Sequence, residues 1–206
     1  VVIDSLLSRK PFQSLVLDAL ESSVLPLHAV SLTQRRRLTG NPKLKAQAAK
    51  LFESAENSDR MKVYRELKKV LDLPADASAG QAVFQRACAS CHKLRDSGHA
   101  VGPDLSGLRN QPADALLLHI VVPNREVYPS YAFYQAETKD GQTHAGILEV
   151  ESLDSVTLVL PLGQRKTIPR SNLKSLRAMP LSLMPDGLEQ TMSRQELVNL
   201  LALIRK

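Results

Sequence analysis

The sequence predicts a mainly α-helical protein that carries a small antiparallel β segment in its second half. Apolar residues recur at helical spacing through residues 1–77 and at both ends of residues 78–206. Between these ends, residues 131–176 alternate apolar and polar positions, which is the period of half-buried strands. The 206 residues are enough for one large domain or two small ones. We therefore expect a helical lead-in followed by a helical domain with a β insertion.

The lead-in carries several helix-start signals. Pro11 suits the first turn of a helix, and Asn41-Pro42 repeats the pattern of a cap followed by proline. Residues 31–38 predict a short helix, and Ser58 can cap a further one. Antiparallel helices with short joints resemble a helical-repeat fragment, although no clean repeat period is present.

The second region begins with another cap signal. Ser78 and Gln81 have capping-box spacing ahead of a helix that runs to Ala87. A second helix is expected between Pro112 and Pro123. The chain then ends in a helix that Ser193 and Glu196 would cap in the same way.

The β insertion at about 131–176 is predicted to be a small antiparallel unit, and a curled barrel is one form that such a unit can take. Lys139-Asp140-Gly141 supplies a hairpin turn, and Leu162-Gly163 supplies another. The predicted strands are Tyr131–Thr138, Thr143–Val150, Ser155–Leu160 and Arg165–Ile168.

Composition excludes several classes of protein. The net charge of +6, from 27 basic and 21 acidic residues, is spread along the chain, and aromatic residues make up only 4% with no Trp. A nucleic-acid binder would concentrate its positive charge and offer stacking platforms. No apolar run approaches the roughly 18 residues of a membrane helix. The chain begins at Val1 without a secretory leader pattern, so we expect a mature protein or a segment of a longer one.

The chemistry lies in the segment Cys88-Ala89-Ser90-Cys91-His92, which has the spacing of covalent c-type haem attachment. Two thiols one helical turn apart can add to the two haem vinyl groups, and the next histidine can bind the iron. A redox Cys-x-x-Cys is disfavoured because the expected βαβ surroundings are missing, and two cysteines cannot complete a four-cysteine zinc site.

The order of motifs around this segment resembles class I cytochromes c, and especially the planctomycete-type haem-binding domain. The phrases that carry the resemblance are GQAVF at 80–84, VGPDLS at 101–106, PN at 123–124, TKDG at 138–141 and SLMPDGL at 182–188. Such domains are similar to a cytochrome c with a β insertion before the methionine loop. They usually end very large proteins that resemble quinone-dependent dehydrogenases, and the resemblance covers residues 78–206 well.

The resemblance implies roles for individual residues. Gly80 and Phe84 would face a C-terminal helix bearing Leu200 and Ile204, and Leu203 is a departure because such helices often carry Tyr.

Around the haem, the resemblance implies that the carbonyl of Pro103 orients His92 and that Leu105 packs on the haem. Met184 would be the sixth iron ligand, with Met179 or no methionine as the alternative. Of the other candidate ligands, His99 is poorly placed for the distal side, so we expect it at the surface or on the propionate side of the haem. Candidate donors to the haem carboxylates, by position alone, are Arg109, Asn124 and Tyr131.

We therefore expect an electron-transfer domain, not an enzyme, with one covalent haem c and His92 and Met184 as axial ligands. The donor would be a dehydrogenase domain or protein and the acceptor a soluble or membrane respiratory cytochrome, with no nucleic-acid partner. Covalent haem implies a periplasmic location. The alternatives are a five-coordinate haem that binds small ligands or activates peroxide, and a scaffold with a structural haem. The sequence leaves open whether the β insertion shields a haem edge or docks a partner.

Overall fold

The computed structural model describes residues 2–25, 27–56, 59–179 and 181–206. The α-helices of these residues are α1 Val2–Leu7, α2 Lys10–Glu21, α3 Leu32–Thr39, α4 Lys45–Glu56, α5 Asp59–Leu67, α6 Ala77–Ala87, α7 Ala113–Val121 and α8 Arg194–Ile204. Short 3-10 turns link them at Leu27–Ala29, Lys68–Asp72, Leu105–Leu108, Pro129–Tyr131, Pro161–Gly163 and Leu188–Thr191. None of the described helices is long and apolar enough to cross a membrane.

Helices α1 to α4 enclose a core of their own. Its buried residues are Leu7, Val16, Leu17, Leu20, Val30, Leu38, Ala48 and Phe52. Helix α3 begins, close to its predicted start, at a full capping box between Ser31 and Gln34. Ser58, predicted as a cap, lies outside the described residues.

A second core joins α5, α6, α7 and α8. Met61 and Tyr64 of α5 pack in the same apolar cluster as Phe84 of α6 and Leu200 of α8. Hydrophobic contact is therefore continuous across the predicted boundary at residues 77/78, and the last helix before that boundary packs with the residues after it.

Helix α6 crosses α8 at very short range. A Cβ atom added to Gly80 would lie 2.3 Å from the backbone oxygen of Asn199 and 2.9 Å from the Cβ of Leu203. Glycine is thus the residue that lets the two backbones meet, because any side chain at this position would overlap α8.

The cap of α6 differs from the prediction. Asp76 is the N-cap and its side chain accepts the N–H of Ser78, whereas Ser78 itself lies inside the helix. The backbone N–H of Asp76 donates to Oδ1 of Asn199 at 2.8 Å, so contact with α8 selects the earlier start. The capping box of Ser193 and Glu196 at α8 forms as predicted.

The insertion is an antiparallel sheet. Its strands are β3 Phe133–Thr138, β4 Thr143–Glu151, β5 Ser155–Val159, β6 Arg165–Pro169 and β7 Leu173–Ala178, while β1 Lys93–Leu94 and β2 Ser97–Gly98 form a separate short hairpin. The order β6-β5-β4-β3-β7 leaves β6 and β7 as edges among the described residues, so the sheet is open and not a closed barrel. Strand β7 was not predicted as a strand; it pairs with β3 across the chain, with Tyr134 opposite Ala178.

One residue in the turn between β5 and β6 has an unfavourable backbone. Leu162, in the turn Pro161–Gly163, has φ 62° and is 55% exposed. Asparagine tolerates this left-handed region better than leucine. We expect Leu162→Asn to raise the free energy of unfolding by about 0.5–1 kcal/mol and the melting temperature by roughly 1–4 °C.

The matched control is Leu153→Asn, at a 96% exposed site without a positive φ. It should leave stability within about 0.5 kcal/mol of the parent chain. Equal shifts in thermal unfolding for both variants would show that the backbone of Leu162 is not strained.

Candidate functional site

The Cys-x-x-Cys-His segment begins where α6 ends. The N–H groups of Cys91 and His92 donate to the carbonyl of Cys88 at 3.0 and 2.8 Å, which folds the segment into one tight turn. Both cysteines are free thiols, with Cys88 buried and Cys91 half-buried. Burial, assisted by the neighbouring Cys91, raises the pKa of Cys88 to about 11. The Cys88 thiol is thus protonated at neutral pH, and Cys91 lies within the same turn.

His92 is held in one orientation. Its Nδ1 lies 2.8 Å from the carbonyl oxygen of Pro103. Because a carbonyl only accepts, Nδ1 must carry the proton and donate it, which leaves the lone pair on Nε2. Burial lowers the pKa of His92, although the Pro103 carbonyl opposes this shift, so the ring is neutral near pH 7. A neutral imidazole with a fixed tautomer is the state that binds a metal.

Backbone packing holds this ring from the side. A Cβ on Gly102 would lie 2.7 Å from Cε1 of His92, and a Cβ on Gly98 would lie 2.1 Å from the carbonyl oxygen of His92. The N–H groups of Val101 and Gly102 both donate to the carbonyl of Cys91. The loop after the motif therefore wraps closely around it, and glycine is what permits the approach.

Apolar side chains border the segment. Leu105 and Met184 are half-buried and pack against the apolar cluster that contains Cys88. Cys91 packs with a second cluster of Val101, Ile147, Val159 and Leu183. Both cysteines thus pack with apolar side chains, as the attachment of a large apolar ring requires.

The two candidate methionines lie in different surroundings. Met184 packs against the core that holds Cys88. Met179 follows β7, donates its N–H to the carbonyl of Phe133 at 2.8 Å, and borders a small surface cavity with Gln135 and Glu137. The geometry therefore brings Met184, and not Met179, toward the cysteine-bearing core.

The sheet contacts the motif directly. The N–H of Leu162 donates to the carbonyl of Ser90, between the two cysteines, at 2.7 Å. A Cβ on Gly163 would be 3.4 Å from Nδ1 of His99, so this histidine lies beside the same turn. The insertion covers the Cys91 side of the segment, a contact that sequence reasoning left undecided.

The three polar residues predicted as candidate donors to the haem carboxylates differ in their hydrogen bonds and exposure. The amide of Asn124 is hydrogen bonded within the protein, to Ser182 and Asp186. Arg109 is exposed and Tyr131 is half-buried. Sequence reasoning missed the contacts of Asn124, because its partners lie far along the chain.

The residues present fit a covalent haem. Two free thiols stand one turn apart, a neutral imidazole follows them with its Nε2 available, and the neighbouring side chains are apolar. This donor set matches c-type haem ligation, in which the protein supplies thioether bonds and an axial histidine.

Comparison with known proteins agrees with this chemistry. Residues 77–157 match the family model of cytochrome c. A "Cytochrome c-553-like" protein of Synechocystis sp. is 38% identical over 56 residues, which is 27% of this chain and 52% of the relative. A "Cytochrome c" of Gossypium barbadense is 44% identical over 36 residues, 17% of this chain and 32% of the relative. The chain thus spans about half and about a third of the lengths of these relatives.

Residues 77–157 are thus similar to cytochrome c, over less than half of the chain. The family match implies a covalently bound c-type haem with iron, and Cys88 and Cys91 fit its attachment motif. The match ends at residue 157, before Met184 and α8. The match therefore does not include the candidate sixth ligand Met184.

Proposed function

We propose that this chain is an electron carrier in which His92 and Met184 are the axial ligands of the haem iron. The observation that carries the proposal is the hydrogen bond from His92 Nδ1 to the Pro103 carbonyl, which leaves Nε2 available. When bound, the haem supplies an iron that alternates between the ferric and ferrous states. Filling both axial positions with protein ligands favours electron transfer over ligand binding.

Each residue of the site has a defined task. Cys88 and Cys91 anchor the haem, and Pro103 keeps His92 in the tautomer that offers Nε2. Leu105 contributes apolar surface, which excludes water. Methionine is a soft thioether ligand, and His/Met ligation raises the reduction potential. The packing of Met184 against the core that contains Cys88 supports this assignment over Met179.

The partners follow from the resemblance of residues 78–206 to planctomycete-type haem-binding domains. The donor would be a dehydrogenase domain or a separate dehydrogenase, and the acceptor a respiratory cytochrome. Because haem is attached covalently outside the cytoplasm, the site of action would be the periplasm.

The test is the visible spectrum of the chain expressed with a haem-maturation system. We expect a sharp c-type α band after reduction and a weak far-red methionine–iron band after oxidation. Met184→Ala should abolish the far-red band and allow the reduced protein to bind carbon monoxide at neutral pH, because one axial position opens.

The matched control is Met179→Ala, which should leave both properties unchanged. Loss of the far-red band in Met179→Ala, but not in Met184→Ala, would show that Met179 is the iron ligand. Carbon monoxide binding by the parent protein would instead favour a five-coordinate haem that binds ligands or activates peroxide.

A further inference from the structure

The side-chain amide of Asn124 bridges the two flanks of the methionine loop. Its Oδ1 accepts the backbone N–H of Ser182 at 2.6 Å, and its Nδ2 donates to Oδ2 of Asp186 at 2.9 Å. These partners stand two residues before and two residues after Met184. Asn124 itself lies just beyond α7, whose last turn contains the buried residues Ile120 and Val121.

Further contacts tie the same loop together. The N–H of Met184 donates to the hydroxyl of Ser182 at 3.1 Å. Arg60 lies 3.9 Å from Asp186, donates to the carbonyl of Val121 at 2.9 Å, and pairs with buried Glu189 at 2.6 Å. The loop is thus held by Asn124, just beyond α7, and by Arg60 of α5, which also binds the carbonyl of Val121 in α7.

We propose that Asn124 is the positioning residue that holds Met184 in place to bind iron, an inference that rests on the proposed His/Met ligation. Only a side chain with both an acceptor and a donor can serve the N–H on one flank and the carboxylate on the other. An amide meets both needs, whereas a carboxylate lacks the donor and an alkyl group lacks both. The contribution of Asn124 is to keep the loop closed through these two hydrogen bonds.

The prediction is measured with imidazole, which competes with Met184 for ferric iron. The apparent affinity for a competitor scales with the fraction of molecules in which the loop is open. Removal of two hydrogen bonds that hold the closed loop should raise this fraction at least about tenfold. Asn124→Ala should therefore lower the apparent Kd for imidazole about tenfold or more.

Asn110→Ala is the matched control, since Asn110 is an exposed asparagine in the turn that precedes α7. It should leave the imidazole affinity of the parent protein unchanged. Amide hydrogen exchange at Ser182 gives a second readout, and it should accelerate in Asn124→Ala but not in Asn110→Ala.

An exchange of the two polar groups tests the bridge itself. Asn124→Asp should be more harmful than Asn124→Ala, because two carboxylates would then face each other. Adding Asp186→Asn moves the amide from position 124 to position 186. The new amide can donate to the carboxylate at position 124, which can still accept the N–H of Ser182, so one donor and two acceptors are again present. The double variant should bind imidazole within about threefold of the parent, and this rescue does not depend on whether Asn124→Ala folds.

The outcomes separate the two proposals. If the parent protein has no far-red methionine–iron band, the His/Met assignment fails. If that band is present but Asn124→Ala and Asn110→Ala bind imidazole equally, Asn124 does not position Met184. Failure of Asp186→Asn to rescue Asn124→Asp would likewise overturn the role of the bridge.

Discussion

Replacing Gly80 with valine will lower the melting temperature of the chain by about 10 °C or more. The new Cβ would overlap the backbone oxygen of Asn199 at 2.3 Å, and a backbone atom cannot move aside as a flexible side chain can. Overpacking usually costs about 1–3 kcal/mol, and we expect about 4 kcal/mol here because two helix backbones must separate. In a chain of this size, each kcal/mol shifts the melting temperature by about 2–4 °C.

The matched control for this prediction is Gly107→Val. A Cβ at Gly107 would meet no atom within 4 Å, so the same change in residue type should cost little. Thermal unfolding followed by circular dichroism measures both variants. Similar losses for the two would mean that the crossing of α6 and α8 tolerates a side chain at position 80.

Converting both cysteines to alanine will release the haem from the chain under denaturing conditions. Thioether bonds survive denaturation, whereas axial ligation does not. Cys88→Ala and Cys91→Ala as single variants should each keep one thioether, so their haem should stay with the polypeptide on a denaturing gel stained for haem. The double variant should show no stained band.

Folding should survive the double substitution. The side-chain sulfur atoms alone are removed, and alanine suits both the buried site of Cys88 and the half-buried site of Cys91. A stained band that persists in the double variant would show that the haem is attached through another residue.

Local signals predicted most of the secondary structure. Helix α8 and its capping box follow from Ser193, Glu196 and a helical apolar period, all within a few residues. The prediction failed where a distant contact decides the outcome. Asp76 replaces Ser78 as the cap of α6 because Asn199 binds its N–H, and β7 is a strand because β3 pairs with it.

The same division applies to the site. The attachment segment is contiguous, so Cys88, Cys91 and His92 could be read from their spacing alone. The contact of Leu162 with Ser90 and the bridge from Asn124 to the methionine loop join residues far apart in sequence. Periodicity and composition carry no information about such pairings, so only the folded structure reveals them.

The first and last strands of the insertion, β3 and β7, lie side by side, which has a consequence for the order of folding. The insertion leaves and rejoins the domain at one place, since Met179 is hydrogen bonded to Phe133 and Tyr134 stands opposite Ala178. Four of its five strands, β3 to β6, are joined by successive hairpins, which form on the microsecond timescale. Once the sheet has formed, the chain between α7 and the methionine loop behaves as a much shorter connection. Each halving of a loop lowers its closure cost by about 0.6 kcal/mol, so early formation of the sheet would speed the meeting of α6 with α8.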